Sequence, residues 1–247
     1  MKYDYLLRLG DNALILSHRL SEWCGHGPAL EEDLALTNTA LDLLGQARLW
    51  LSYAAEVEGQ GRDEDALAYR RDAHQFRNLL LVEQPNGHYG NTMVRQFLFD
   101  AWHQLLLEAL CRSSDARIAE IAQKSLKEVR YHLERSSHLV RALGDGTPES
   151  HARMQAAVDL IWPYAQEWFV DDAVDIACAE QGMAPLASSL QAPWQACVAQ
   201  VLQDATLTMP DYLGHQKGGK RVVHTEHLGY MLADMQFLQR TYPGAQW

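Results

Sequence analysis

The side chains in this chain best placed by type to do chemistry are its carboxylates and histidines, and their spacing decides what that chemistry could be. On a helix, residues three apart project from one face, so a carboxylate and an imidazole at i and i+3 can converge on one ion. A dinuclear iron site in a helical bundle needs two such Glu-x-x-His pairs and one further carboxylate from each of two more helices. An acidic residue followed three positions later by His occurs once, in Asp100-Ala101-Trp102-His103, so the strict pattern fails. Glu128 and His132 are four apart, as are Glu134 and His138, a spacing that suits ion pairs along a helix surface or groove. His224-Thr225-Glu226-His227 could form a small metal or acid–base cluster, but it also reads as a helix start, with Thr225 as N-cap and Glu226 in the favourable first turn. Lys217-Gly218-Gly219-Lys220-Arg221 lacks the spacing of a phosphate-binding P-loop. It reads as a flexible, locally basic loop, with Lys217, Lys220 and Arg221 as candidate contacts for a phosphate-bearing ligand or a partner chain. Neither a Gly-x-Ser-x-Gly elbow nor another nucleophile motif is present, which removes hydrolase readings.

These residues sit on helices. Apolar side chains recur at intervals of three and four, and strand-like alternation is scarce. The first helix carries Leu6, Leu9, Ala13, Leu16 and Leu20 and should stop near Gly25 to Pro28. A second is expected over Leu30 to Glu58, with Leu34, Leu41, Leu44 and Leu51 on its apolar face and glycines at 59 and 61 ending it. A shorter helix over 64–75 precedes the turn Gln84-Pro85-Asn86-Gly87, and two long helices follow over about 91–111 and 116–143. The expected class is all-α, a ferritin-like four-helix bundle over about 5–143, with packing helices over about 148–242 (148–168, 174–181, 188–205 and 225–242), in one domain spanning 1–247.

Composition narrows the partners. Hydrophobic residues make up 47% of the 247, enough for a sizeable core, and 21 basic against 32 acidic residues leave a net charge of −11. That field opposes phosphate backbones and anionic lipid surfaces, so neither nucleic acid nor a membrane is an expected partner. Cys24, Cys111, Cys178 and Cys197 form no C-x-x-C pair, which with the absence of a signal-like start or a long apolar run places the chain in the cytoplasm. Seven tryptophans read as core, with interface anchoring as the alternative for some of them.

Five segments carry a resemblance. Leu7-Arg8-Leu9-Gly10-Asp11-Asn12, Glu22-Trp23-Cys24-Gly25-His26, Leu41-Asp42-Leu43-Leu44-Gly45-Gln46-Ala47-Arg48, Leu81-Val82-Glu83-Gln84-Pro85-Asn86-Gly87 and His224-Thr225-Glu226-His227-Leu228-Gly229, in that order, resemble the C subunits of bacterial phenylacetyl-CoA epoxidase complexes, over essentially the whole chain. The resemblance implies a ferritin-like fold. It also implies a place beside a homologous catalytic A subunit, which holds a di-iron centre, epoxidises the ring of phenylacetyl-CoA and draws electrons from a separate reductase.

The resemblance extends to the ligand positions of that A subunit. Leu43 and Gln46 stand where it has the Glu and His of one pair; Val129 stands for the second Glu, although His132 remains. The lone carboxylate of the first helix falls at Asn12 or Ala13, and Asp100 keeps an acid. Four of six ligand positions are lost on this reading. The chain is expected to carry no metal and no cofactor and to serve as a non-catalytic scaffold, with Asp100 and His132 finding new partners in each other, His103 or Gln46. Two rivals remain at this point: a di-iron oxygenase in its own right, and a free-standing helical protein that binds a CoA thioester.

Overall fold

The protein is described by a computed structural model covering residues 1–247 apart from Leu213, His215, Gln246 and Trp247; the last of the seven tryptophans therefore lies outside the described residues. Ten α-helices and no strand occur among the described residues: α1 (Lys2–Ser21), α2 (Leu30–Glu58), α3 (Glu64–Tyr69), α4 (Tyr89–Leu110), α5 (Ala116–Gly144), α6 (Pro148–Ile161), α7 (Ala173–Glu180), α8 (Gln191–Asp204), α9 (Glu226–Met235) and α10 (Phe237–Thr241). None is long and apolar enough to cross a membrane. The boundaries follow from local chemistry. Asp115 caps α5 by accepting from the backbone N–H groups of Arg117 and Ile118 at 3.0 and 3.2 Å, and Gly59 ends α2 at φ 67°, a left-handed conformation that glycine adopts without strain.

Two compact units result, Met1–Pro85 with Lys217–Trp247, and Asn86–Gln216. The first is built on the α1–α2 hairpin. Gly10 lets the two helices approach closely, since a Cβ there would lie 2.7 Å from Leu51 Cδ2. In the second unit α4 and α5 pair, and α6 and α8 pack against both. The packing helices expected after residue 148 thus divide: α6 to α8 belong to the second unit, α9 and α10 to the first.

The structure corrects several expectations. On α2 the buried residues are Leu36, Ala40, Leu43, Ala47, Trp50, Leu51 and Ala54, whereas Leu34, Leu41 and Leu44 face solvent. Spacing finds an apolar stripe but not which stripe the chain itself covers. The helix expected over 64–75 ends at Tyr69, where the backbone turns to bury Arg71, and that over 148–168 ends at Ile161, just before Pro163. The last helix divides at Gln236, whose Nε2 donates to the carbonyls of Ala68 and Arg71 at 3.0 and 2.9 Å. The basic loop is tied down at its glycines: Gly218 and Gly219 are buried, and a Cβ on Gly219 would lie 2.0 Å from the Asn78 carbonyl oxygen.

A buried ion pair organises the first unit. Arg71 and Asp11 are both inaccessible and meet through two contacts, one of them Nη1 to Oδ2 at 3.0 Å. Asp11 also accepts the Arg77 backbone N–H at 2.8 Å, and Arg71 donates to the carbonyls of Leu67 and Gln75 while its guanidinium lies 4.2 Å from the Phe76 ring centroid. Removing one partner strands a buried charge. Asp11→Ala should therefore lose about 3–5 kcal/mol of stability in urea unfolding, far more than breaking an exposed pair such as Arg153 with Glu149 would.

Candidate functional site

The positions matched to a dinuclear centre lie on the long helices of both units. In the first unit Asn12, Ala13, Leu43 and Gln46 are all buried. Asn12 does structural work, its Oδ1 accepting the Leu79 backbone N–H at 2.8 Å and so holding the segment after α3 against α1. Leu43 has no exposed surface at all. An apolar side chain of that size contributes roughly 1.5–3 kcal/mol by burial, where a carboxylate would need a cation or a proton to be tolerated.

In the second unit Asp100, Val129 and His132 are buried on α4 and α5. The Asp100 carboxylate accepts from Gln96 Nε2 at 2.7 Å and from Ser136 Oγ at 2.8 Å. Gln96 lies one turn before Asp100 on α4, and Ser136 one turn after His132 on α5, so the new partners are helical neighbours of the two surviving positions. Burial pushes the Asp100 pKa up to about 6, against the pull of the His132 charge and of the hydrogen bonds from Ser136 and Gln96. His103 is driven the other way: burial, with some help from His132, takes it down to about 3, so it is neutral at physiological pH. Its ring packs against Phe99 at 5.0 Å and Trp102 at 6.1 Å, at one end of an aromatic array that continues through Trp168 and Trp194.

The His224-Thr225-Glu226-His227 segment begins α9, with Thr225 as N-cap residue and Glu226 exposed in the first turn. His224 turns inward and meets the buried Glu83, with Nδ1 3.5 Å from Oε1 and Nε2 3.0 Å from the Phe76 carbonyl. Burial pulls its pKa down, but the Glu83 carboxylate and the Phe76 carbonyl outweigh it and leave the imidazole above its ordinary value. Glu83 also accepts the Thr225 backbone N–H at 3.3 Å. The motifs around Glu83 and His224 thus come together as a latch for the C-terminal segment. Sequence reasoning did not foresee it, since two residues 141 positions apart carry no spacing signal. On the basic loop, Lys217 and Arg221 are exposed and Lys220 is partly covered.

The donor set can be compared with what a dinuclear iron centre requires. Among the described residues no group of three or more His, Cys, Asp and Glu side chains is placed to hold a metal ion. At the matched positions one carboxylate and one imidazole remain, and the carboxylate already receives two hydrogen bonds. These residues do not fit a di-iron group.

The raised Asp100 pKa has a stability consequence. A carboxyl whose folded pKa lies above its unfolded value adds stability that is fully present below about pH 4 and is lost as pH rises through about 6. The stability of Asp100→Asn minus that of the native chain should grow by up to about 3 kcal/mol between pH 4 and 7, followed by urea unfolding. A difference that is flat with pH would count against this assignment.

Comparison with known proteins adds to the geometry. A family model described as "Phenylacetic acid catabolic protein" matches residues 1–247. The C subunit of the 1,2-phenylacetyl-CoA epoxidase of Escherichia coli (strain K12) is 53% identical over 243 residues, which covers 98% of this chain and 98% of that protein. The all-α, ferritin-like class expected from the sequence stands, and the chain belongs to the phenylacetic acid catabolic protein family.

Proposed function

We propose that this chain is a structural, non-catalytic subunit of a phenylacetyl-CoA epoxidase, working in the cytoplasm in aerobic phenylacetate catabolism. It scaffolds a homologous A subunit that carries the di-iron centre and is served by a separate reductase. The similarity to a protein named as the C subunit of such an epoxidase supports membership of a multi-chain enzyme. The observation that carries the non-catalytic reading is the burial of Leu43, Val129, Gln46 and Asn12–Ala13 where oxygen activation would need carboxylates and imidazole. Two cations held by one carboxylate and one imidazole would keep most of their coordination as water or lose it to the solvent. What this chain's own residues do is pack: they fill the interior with apolar side chains and engage the surviving acid with Gln96 and Ser136.

Iron analysis of the purified chain, alone and co-purified with the A subunit, tests this. Iron should follow the A subunit, and the chain alone should hold well under one iron and show no turnover; about two irons per chain with unaided turnover would overturn the proposal. Lys217, Lys220 and Arg221 are proposed to touch the CoA phosphates or the partner chain. Changing all three to Ala should weaken CoA-ester or partner binding in calorimetry, and no change in either removes the loop from the function.

A further inference from the structure

Four of the seven tryptophans stand in one unbroken line inside the second unit. Trp102 of α4 stacks on Trp168, with ring centroids 5.3 Å apart and planes 9° from parallel. Trp168 meets Trp194 of α8 edge-on at 5.7 Å, and Trp194 stacks on Trp162 at 5.6 Å and 29°. All four are buried. Burial alone does not call for indole, since Leu or Phe fills a core without bringing an N–H that must then be satisfied. What indole adds is the readiness of its π system to give up an electron, and rings in contact can pass the resulting vacancy along.

The surroundings of these rings keep such a vacancy mobile. An indole that has lost an electron is a cation, and the charge stays free to move only while the N–H proton stays on. Trp194 Nε1 donates to the Leu98 carbonyl at 3.0 Å and Trp162 Nε1 to the Tyr212 carbonyl at 2.8 Å, groups that accept a hydrogen bond without taking the proton. Trp168 Nε1 is buried with no hydrogen-bond partner among the described residues. His103, stacked on Trp102, is a poor base, because burial takes its pKa down to about 3. Positive charge on one indole is also stabilised by the face of a ring stacked on it. The line ends at the surface: Tyr212, whose carbonyl holds Trp162, is 44% exposed, and a phenol in water can release its proton as it is oxidised.

We propose that Trp102, Trp168, Trp194 and Trp162 form a relay that carries an electron vacancy through the second unit to Tyr212, where a thiol in solution refills it, so that oxygen-centred radicals are discharged without damage to the core. A radical at the Trp102 end takes one electron from that indole, becomes the corresponding anion and collects a proton from water. Trp168 then reduces Trp102, Trp194 reduces Trp168, and Trp162 reduces Trp194. Tyr212 gives the last electron and loses its phenol proton to water. A thiol returns a hydrogen atom to the phenoxyl radical, and two thiyl radicals join as a disulfide. Overall two oxygen radicals and two thiols give two alcohols or hydroperoxides and one disulfide, and no bond of the protein changes. That such radicals arise beside this chain rests on the epoxidase reading above; the conduction rests on the rings alone.

The test uses the full-length chain with Cys24→Ser and Cys197→Ser, so that a ruthenium polypyridyl label goes to Cys111, at the end of α4 and about 13.5 Å along the helix axis from Trp102, while Cys178 is buried. Flash excitation with an electron acceptor in solution turns the label into a one-electron oxidant. Transient absorption follows indole and phenoxyl radicals, and peptide mass spectrometry after trapping with oxygen locates the oxidised residues. Without thiol, oxidation should collect at Tyr212, and added glutathione should erase it. Trp168→Phe should lose most of the Tyr212 product and leave oxidation at Trp102. Tyr212→Phe, at an exposed position, should leave it at Trp162. Trp50→Phe in α2, outside the line of rings, should change nothing. Oxidation that stays at Trp102 with every ring in place, or that reaches Tyr212 as readily after Trp168→Phe, overturns the relay. Should Trp168→Phe unfold the chain by circular dichroism, Tyr212→Phe decides, and a Trp162 left unoxidised there overturns it. The readout needs neither iron nor a second subunit, so the relay and the scaffold reading can fail separately.

Discussion

The buried contact between Asp11 and Arg71 is the constraint on which the first unit hangs. Neither charge can be left alone away from water, so the chain beyond α3 must fold back to α1, and it does so by placing the Arg71 guanidinium and the Arg77 backbone N–H on one carboxylate, while the Gln75 carbonyl accepts from the same guanidinium. Carbonyls exposed by that turn are then taken up by Gln236 and Arg240 from the end of the chain. The position of α3 follows from where this guanidinium must sit.

The helical architecture was largely legible because a three-four rhythm of apolar residues and well-placed caps are local properties. Leu30 to Glu58 coincides with α2, and Ala116 and Pro148 begin helices where expected. The error on α2 is instructive. Leu34, Leu41 and Leu44 satisfy the rhythm of a core face as well as Leu36, Leu43 and Trp50 do, and a helix with two such faces gives no sign of which is covered. Breaks at Tyr69 and Gln236 were illegible because they are imposed by tertiary hydrogen bonds to residues far along the chain.

At the candidate site, the burial of Leu43 and Val129 was legible from their apolar type, whereas that of Gln46, a polar amide, was not. The partners of Asp100 were less visible. Gln96 and Ser136 are ordinary residues one helical turn from the positions of interest, and only packing reveals which turn faces the carboxylate. The result is an acid held by hydrogen bonds from Gln96 and Ser136, with the charges of His132 and Arg135 acting in the same direction against burial. His103, in aromatic surroundings, is held neutral by burial.

The first unit is discontinuous in sequence: residues 217–247 complete what residues 1–85 begin, and the second unit lies between them. During synthesis the ribosome delivers α1 and α2 early, yet the carbonyls around Arg71 and the carboxylate of Glu83 wait for Gln236, Arg240 and His224 to emerge. The middle of the chain can consolidate first, and the earliest-made helices are the last to be sealed. Lesions at the carboxyl terminus are thus felt near the amino terminus.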